Sequence, residues 1–229
     1  MSGWVPVAQD LHATADAPQM KRVAALFAVL AFAGCGEEPP VDPATRAATF
    51  RWDTTVSGKD KRWIQAAIDE ARPEARQLID DIDGMVIVGT YAQPGASEIG
   101  LMRPLGEDQY QVVFNLAYLN GDRKIDRATT VLHELGHVID AAVVPEALRD
   151  ELAAQVPSSG SCVTPAGGDC TAPAERFADT FAKWALRGAV SVAGAGYGVA
   201  TPASLEDWGT PLANLAIEIQ VSASRAASS

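Results

Sequence analysis

The sequence predicts an α+β domain built around a small mixed sheet. Three observations carry this. Lys59 to Ile79 places apolar residues at helical spacing. Three short apolar or alternating runs follow between residues 84 and 116. Helical spacing then returns from Asp126 onward. The chain has 229 residues, which suits a single domain with a sizeable core. At 48% hydrophobic and 21% charged it is balanced like a globular protein. The net charge of −11 argues against a nucleic-acid partner, because binding phosphates needs a basic face.

Taken in order, the N-terminal part is read as a leader. Lys21 and Arg22 precede an unbroken apolar run from Val23 to Ala33, followed by Gly34 and Cys35. The run is short for a bilayer span and fits the core of a signal peptide. Residues 32–35, FAGC, resemble a bacterial lipobox, although Phe32 stands where leucine is commoner. Cys35 would then carry lipid and become the first mature residue, placing the protein in the bacterial cell envelope, anchored to a membrane. A buried apolar helix is the alternative. Because a signal sequence begins near its basic residues, translation is expected to start at Met20 and residues 1–19 to be absent natively. Residues 36–49 read as a Pro- and Ala-rich linker.

The domain is expected over residues 50–221. In Lys59 to Ile79, Trp63, Ile64, Ala67, Ile68 and Ala71 share one side, and Pro73 kinks or interrupts the helix. Gly84 to Tyr91 reads as a buried strand, Glu98 to Met102 as a second, and Gln109 to Leu116 as a third. Residues 120–122, NGD, turn the chain. A helix opens at Asp126 or Thr129 and ends by Pro145. Glu146 to Gln155 forms a short helix. Pro173 to Arg187 is a strong one, with proline in its first turn. Pro211 to Val221 is the last, and residues 222–229 are expected to be disordered. Of three cysteines, Cys162 and Cys170 remain once Cys35 is assigned to lipid. Free thiols or metal ligands are the alternatives, but the pair lacks the two-residue spacing of structural zinc sites. In an oxidising compartment it reads as a disulfide.

The chemistry sits in residues 131–140, VLHELGHVID. His133 and His137 are four apart on a helix, so their imidazoles converge on one point, as in the HExxH pattern of zinc peptidases. Glu134 reaches the side of that point and can act as general base. Gly136 costs roughly 1 kcal/mol in mid-helix, which is compensated if another helix approaches closely.

A catalytic zinc ordinarily takes a third protein ligand. The remaining histidine, His12, precedes the leader and cannot serve in an exported protein. The third ligand is therefore a carboxylate or a thiolate. Asp140 is poorly placed, since its short side chain would have to reach back past His137. In residues 172–184, APAERFADTFAKW, Glu175 and Asp179 share a helix face with Ala178 and Ala182, beside a stripe of Phe177, Phe181 and Trp184. Glu175 would point at the metal, and Asp179 would accept the N–H of a ligand histidine. The bland alternative for Glu175 is a solvated carboxylate near a helix N-terminus.

These two blocks resemble the gluzincin metallopeptidases, and most closely the anthrax lethal factor-like group that includes the Pro-Pro endopeptidases. Residues 133–140 are similar to the active-site helix of that group, including the aspartate Asp140. Residues 174–184 are similar to its glutamate-ligand helix. The likeness covers roughly residues 85–190. It implies a zincin-like domain, one zinc ion per chain on His133, His137 and Glu175, and Glu134 as general base. It also implies an antiparallel edge strand above the site to which substrate adds as a further strand, and Gln109 to Leu116 is the candidate. The group carries a tyrosine shortly before its glutamate ligand, and residues 157–174 contain none. Tyr197 is a candidate substitute, a packed surface tyrosine being the alternative.

The expected function is that of an exported, lipid-anchored, monomeric zinc endopeptidase acting on peptides or proteins. Two rivals stand beside it: a non-catalytic surface lipoprotein stabilised by zinc, and a zinc hydrolase of a non-peptide amide such as a cell-wall bond. The intact Glu134 argues against the first.

Overall fold

The computed structural model describes residues 50–96, 98–120, 126–157, 172–189 and 199–228. The leader with Cys35, the linker, the pair Cys162 and Cys170, and Tyr197 lie outside the described residues.

The elements run β1 (Arg51–Trp52), α1 (Gly58–Asp69), α2 (Pro73–Asp81), β2 (Val86–Tyr91), β3 (Gly100–Gly106), β4 (Gln109–Asn115), α3 (Leu116–Leu119), α4 (Arg127–Ala142), α5 (Glu146–Gln155), α6 (Pro173–Ala185) and α7 (Leu205–Ala227). The sheet order is β1-β2-β4-β3. β1 and β4 both run parallel to β2, and β3 is antiparallel to β4. The α+β class and the small mixed sheet hold.

Local chemistry sets the boundaries. Ser57 caps α1, its hydroxyl accepting from Asp60 N at 3.2 Å. Pro73 does not bend one long helix. It occupies the first turn of a separate α2, where its missing N–H costs nothing. Asp126 caps α4 by accepting from Thr129 N at 2.7 Å.

α4 is the central element. Every residue from Ala128 to Asp140 is buried, so this helix is enclosed on all sides rather than amphipathic. It packs against α6, α1 and β3. Its apolar residues Val131, Leu132, Leu135, Val138 and Ile139 join one core with Ile64, Leu78, Val88, Phe114, Phe181 and Trp184.

Two expectations need correction. Gln109 to Leu116 is not the edge strand. β4 is paired on both sides, and Leu116 already belongs to α3. The edge beside α4 is β3, and its Pro104 explains why: proline lacks the N–H that an interior strand must donate. The C-terminal segment is not a short helix followed by a disordered tail. α7 starts at Leu205, capped by Ser204 accepting from Asp207 N at 3.1 Å, and continues to Ala227 with Pro211 inside it. In its last turns Ser222 and Ser224 donate back to the carbonyls of Glu218 and Gln220, each at 2.8 Å. Among the described residues no helix is long and apolar enough to cross a membrane.

Candidate metal centre

α4 and α6 pack closely enough to bring their polar side chains together. Gly136 is the reason: a Cβ there would lie 3.1 Å from Phe181 Cδ1 and 3.2 Å from Ala178 Cα. The glycine and the alanine let two helix backbones approach, as the sequence predicts. The aromatic stripe secures α6 from behind. Phe177 packs against Phe181 and Trp208, with ring centroids 6.2 and 5.6 Å away.

Across this contact His133, His137 and Glu175 converge. The Nε2 atoms of the two histidines are 3.1 Å apart. His133 Nε2 lies 3.2 Å from Glu175 Oε2, and His137 Nε2 lies 3.5 Å from Glu175 Oε1. A tetrahedral zinc ion with bonds of 2.0–2.1 Å separates its donor atoms by about 3.3–3.4 Å. The three observed edges bracket that value. Two imidazole nitrogens and a carboxylate oxygen, aimed at one point with this spacing, form a donor set that fits a divalent metal, and the site is largely buried.

The protonation states agree with that fit. Burial is the largest influence on His133 and lowers its pKa, favouring the neutral ring a metal needs. Burial alone would raise the pKa of Glu175, but hydrogen bonds from His133 and His137 overcome it and hold the carboxyl far below its ordinary value. His137 is pulled down by burial, then pushed above its ordinary value by the hydrogen bond to Glu175 and the charges of Glu134, Glu175 and Asp140. Without a cation, a proton on His137 balances part of the local negative charge. With one, the cation takes that role.

Glu134 is 2% exposed and lies on the β3 side of the helix. Its carboxylate presses against Gly100, the first residue of the edge strand. A Cβ on residue 100 would meet Glu134 Oε1 at 2.4 Å. The candidate base is therefore held between the metal ligands and the edge of the sheet.

Asp179 is fully buried and 2.6 Å from Lys183 Nζ. Its negative charge acts on His133 and favours a proton there. Its place on the ligand helix is as expected, and the lysine partner was not foreseen. Asp140 is not a ligand. Its Oδ1 accepts from Arg149 Nε at 2.8 Å, and Arg149 also donates to the carbonyls of Asp140 and Val144. This ion pair ties α5 to the end of α4, and the charge of Asp140 acts on His137.

The structure adds three residues on the β3 side of the site that sequence reasoning missed. Gly100 is one, Asn115 another, and Tyr91 the third. The Tyr91 hydroxyl has its pKa raised by burial and by the charges of Glu98 and Glu134. Pro104 was the available signal for the edge strand. No local pattern marks Gly100, and Asn115 shows locally only as the cap of α3; their relation to the site comes from the β3–β4 pairing.

No protein-family model, curated protein or solved structure matches the chain.

Proposed function

We propose that this chain is a zinc-dependent endopeptidase on a zincin-like domain, of the gluzincin type and nearest to the anthrax lethal factor-like and Pro-Pro endopeptidase group. One observation carries the reading. The HExxH of α4 and Glu175 of α6 converge with the edges of a tetrahedral metal site, and Glu134 stands beside them at β3, the outermost strand of the sheet among the described residues.

His133, His137 and Glu175 would hold the ion. When bound, zinc supplies Lewis acidity, polarising a carbonyl and acidifying a water. Glu134 accepts the proton from the attacking water and returns it to the leaving nitrogen. The contact of Glu134 with Gly100 supports an exchange next to β3. The outer edge of β3 accepts a substrate backbone as an added strand, which lays a scissile bond along the site. A base would be superfluous in a metal site that only braces the fold, and the burial of Glu134 beside the ligands supports catalysis over bracing. The lipobox-like segment supports an exported protein, anchored through Cys35 and acting outside the cytoplasm.

The test is zinc titration of the full chain, followed by incubation with a diverse peptide library read by mass spectrometry, with Glu134→Gln in parallel. The expected result is about one zinc per chain in both proteins and cleavage by the unaltered one alone. Zinc binding without any cleavage would move the reading to a zinc-stabilised binding protein or a hydrolase of another amide. Failure to bind zinc would end it.

A further inference from the structure

Glu134 is walled by Gly100, so whatever fixes Gly100 fixes the seat of the base. The chain entering β3 is held by polar side chains from β2, β4 and α3. Asn115, at the end of β4, is fully buried. Its Nδ2 donates to Gln93 O at 3.0 Å and to Glu98 O at 3.2 Å. Its Oδ1 accepts from Gln93 N at 3.0 Å and from Ala117 N at 3.2 Å. Its backbone N–H donates to Ile99 O at 2.8 Å. The Tyr91 hydroxyl adds a second donor to Glu98 O at 3.2 Å, and the Tyr118 hydroxyl donates to Ala96 O.

Carbonyls at 93, 96, 98 and 99 are thus fixed immediately before Gly100. The Asn115 amide uses two donors and two acceptor positions, its whole capacity. A buried amide satisfied in this way is costly to alter and rigid in place. None of these bonds touches His133, His137 or Glu175. The clamp therefore governs the β3 side of the site and leaves the metal side to α4 and α6.

The geometry points to Asn115 as a positioning residue. It holds the entry of β3, through Glu98 and Ile99, so that Gly100 confines the Glu134 carboxylate to one seat beside the metal ligands. This rests on the proposed hydrolase reading. Asn115 acts through Glu134 and touches no reacting atom.

The test compares the full chain with Asn115→Asp and Tyr91→Phe. Aspartate is isosteric and keeps both acceptor contacts, including the one that caps α3, but loses both donors. Tyr91→Phe removes one of the two donors to Glu98 O at a more exposed position, and serves if the first variant fails to fold. Three quantities are read: zinc stoichiometry, hydrogen–deuterium exchange of residues 93–101 against 127–142, and kcat and KM on the peptide cleaved fastest in the library experiment. For Asn115→Asp the expected result is unchanged zinc, unchanged protection of α4, and exchange in 93–101 faster by about ten-fold or more. With it kcat falls by roughly ten- to a hundred-fold, while KM moves by less than about three-fold. Tyr91→Phe moves the same quantities less.

Unchanged exchange in 93–101, or unchanged kcat in an active chain, overturns the inference alone. So does a fall in kcat matched by loss of zinc and of α4 protection, which would make Asn115 a general fold anchor. A chain that binds zinc and cleaves nothing, with its exchange pattern as expected, overturns the hydrolase reading and leaves the clamp as architecture only.

Discussion

Gly100 and Glu134 contend for the same space: a Cβ at residue 100 would lie 2.4 Å from Glu134 Oε1 and 2.6 Å from its Cγ. The edge strand and the HExxH helix meet at a point where only hydrogen fits. Gly100→Ala would displace the glutamate side chain, which can swing away, rather than the backbone of α4. The fold should therefore survive while the base leaves its seat. Zinc content and unfolding midpoint should stay near those of the unaltered chain, with kcat lower by at least about ten-fold. Full activity in this variant would show that Glu134 does not work from its position beside β3.

Gly136 shows a tighter relationship, because one side of the contact is backbone. A Cβ there would lie 3.2 Å from Ala178 Cα and 3.4 Å from Ala178 O. Gly136→Ala gains about 1 kcal/mol of helix propensity but incurs an overpacking cost of about 1–3 kcal/mol. We expect a net loss near 1 kcal/mol, together with weaker zinc binding, because α6 carries Glu175 away from the histidines as it retreats. Urea unfolding and a zinc competition assay would check both. A stabilised variant with unaltered zinc affinity would mean that the two helices are not pressed together.

How much of this was readable in advance depended on range. The ligand set lay in two helices whose spacing shows locally: His133 and His137 one turn apart, Glu175 and Asp179 likewise, with Gly136 and Ala178 small for a reason visible in the pattern. The edge strand was assigned to the wrong run. The resemblance implies an edge strand, and the candidate for it, Gln109 to Leu116, instead holds β4, which pairs on both sides. Pro104 carried the correct signal. Pro211 misled in the other direction. The expected helix begins at Pro211, whereas Ser204 and Asp207 mark the start of α7. Asn115 could not be singled out, since its partners Gln93, Glu98 and Ile99 reach it only once β4 pairs with β3.

Metal removal and pH should interact in a defined window. In the chelated protein Glu175 has a depressed pKa, so it contributes stability above its ordinary value of 4.5 and loses it as pH falls toward the folded value. His137 has a raised pKa, so its contribution is complete below 6.5 and is lost as pH rises through the folded value. Their interaction in the metal-free state is therefore strongest between those two pH values. His133 works against this below 6.5, because burial disfavours its charged form. The unfolding midpoint of the chelated chain relative to chelated Glu175→Gln should be highest between pH 4.5 and pH 6.5, and the difference should shrink as pH falls toward the depressed value of Glu175 and as it rises through the raised value of His137. With zinc the order changes. Affinity should rise with pH as His137 gives up its proton, and so should the zinc-induced gain in midpoint. A zinc effect that is flat from pH 5 to pH 8 would contradict ligation by His137.

Lys183 and Asp179 make the last prediction. The lysine ammonium lies 2.6 Å from Asp179 Oδ2 and donates to Val199 O at 2.6 Å, with the carboxylate wholly enclosed. Asp179 also acts electrostatically on His133. Removing the ammonium leaves that charge in the interior without its cation, a loss that usually costs about 3–5 kcal/mol for a buried pair. Lys183→Met should therefore destabilise strongly, and Asp179→Asn alone less. The double variant should recover part of the first loss, because the stranded charge is gone. The lost contact to Val199 O is common to both Lys183 variants and cancels in the cycle. Urea unfolding of all four proteins with chelator present should give a coupling of at least about 1 kcal/mol. Additive effects would mean that the lysine serves the Val199 carbonyl and leaves the carboxylate beside the metal ligands to be balanced from elsewhere.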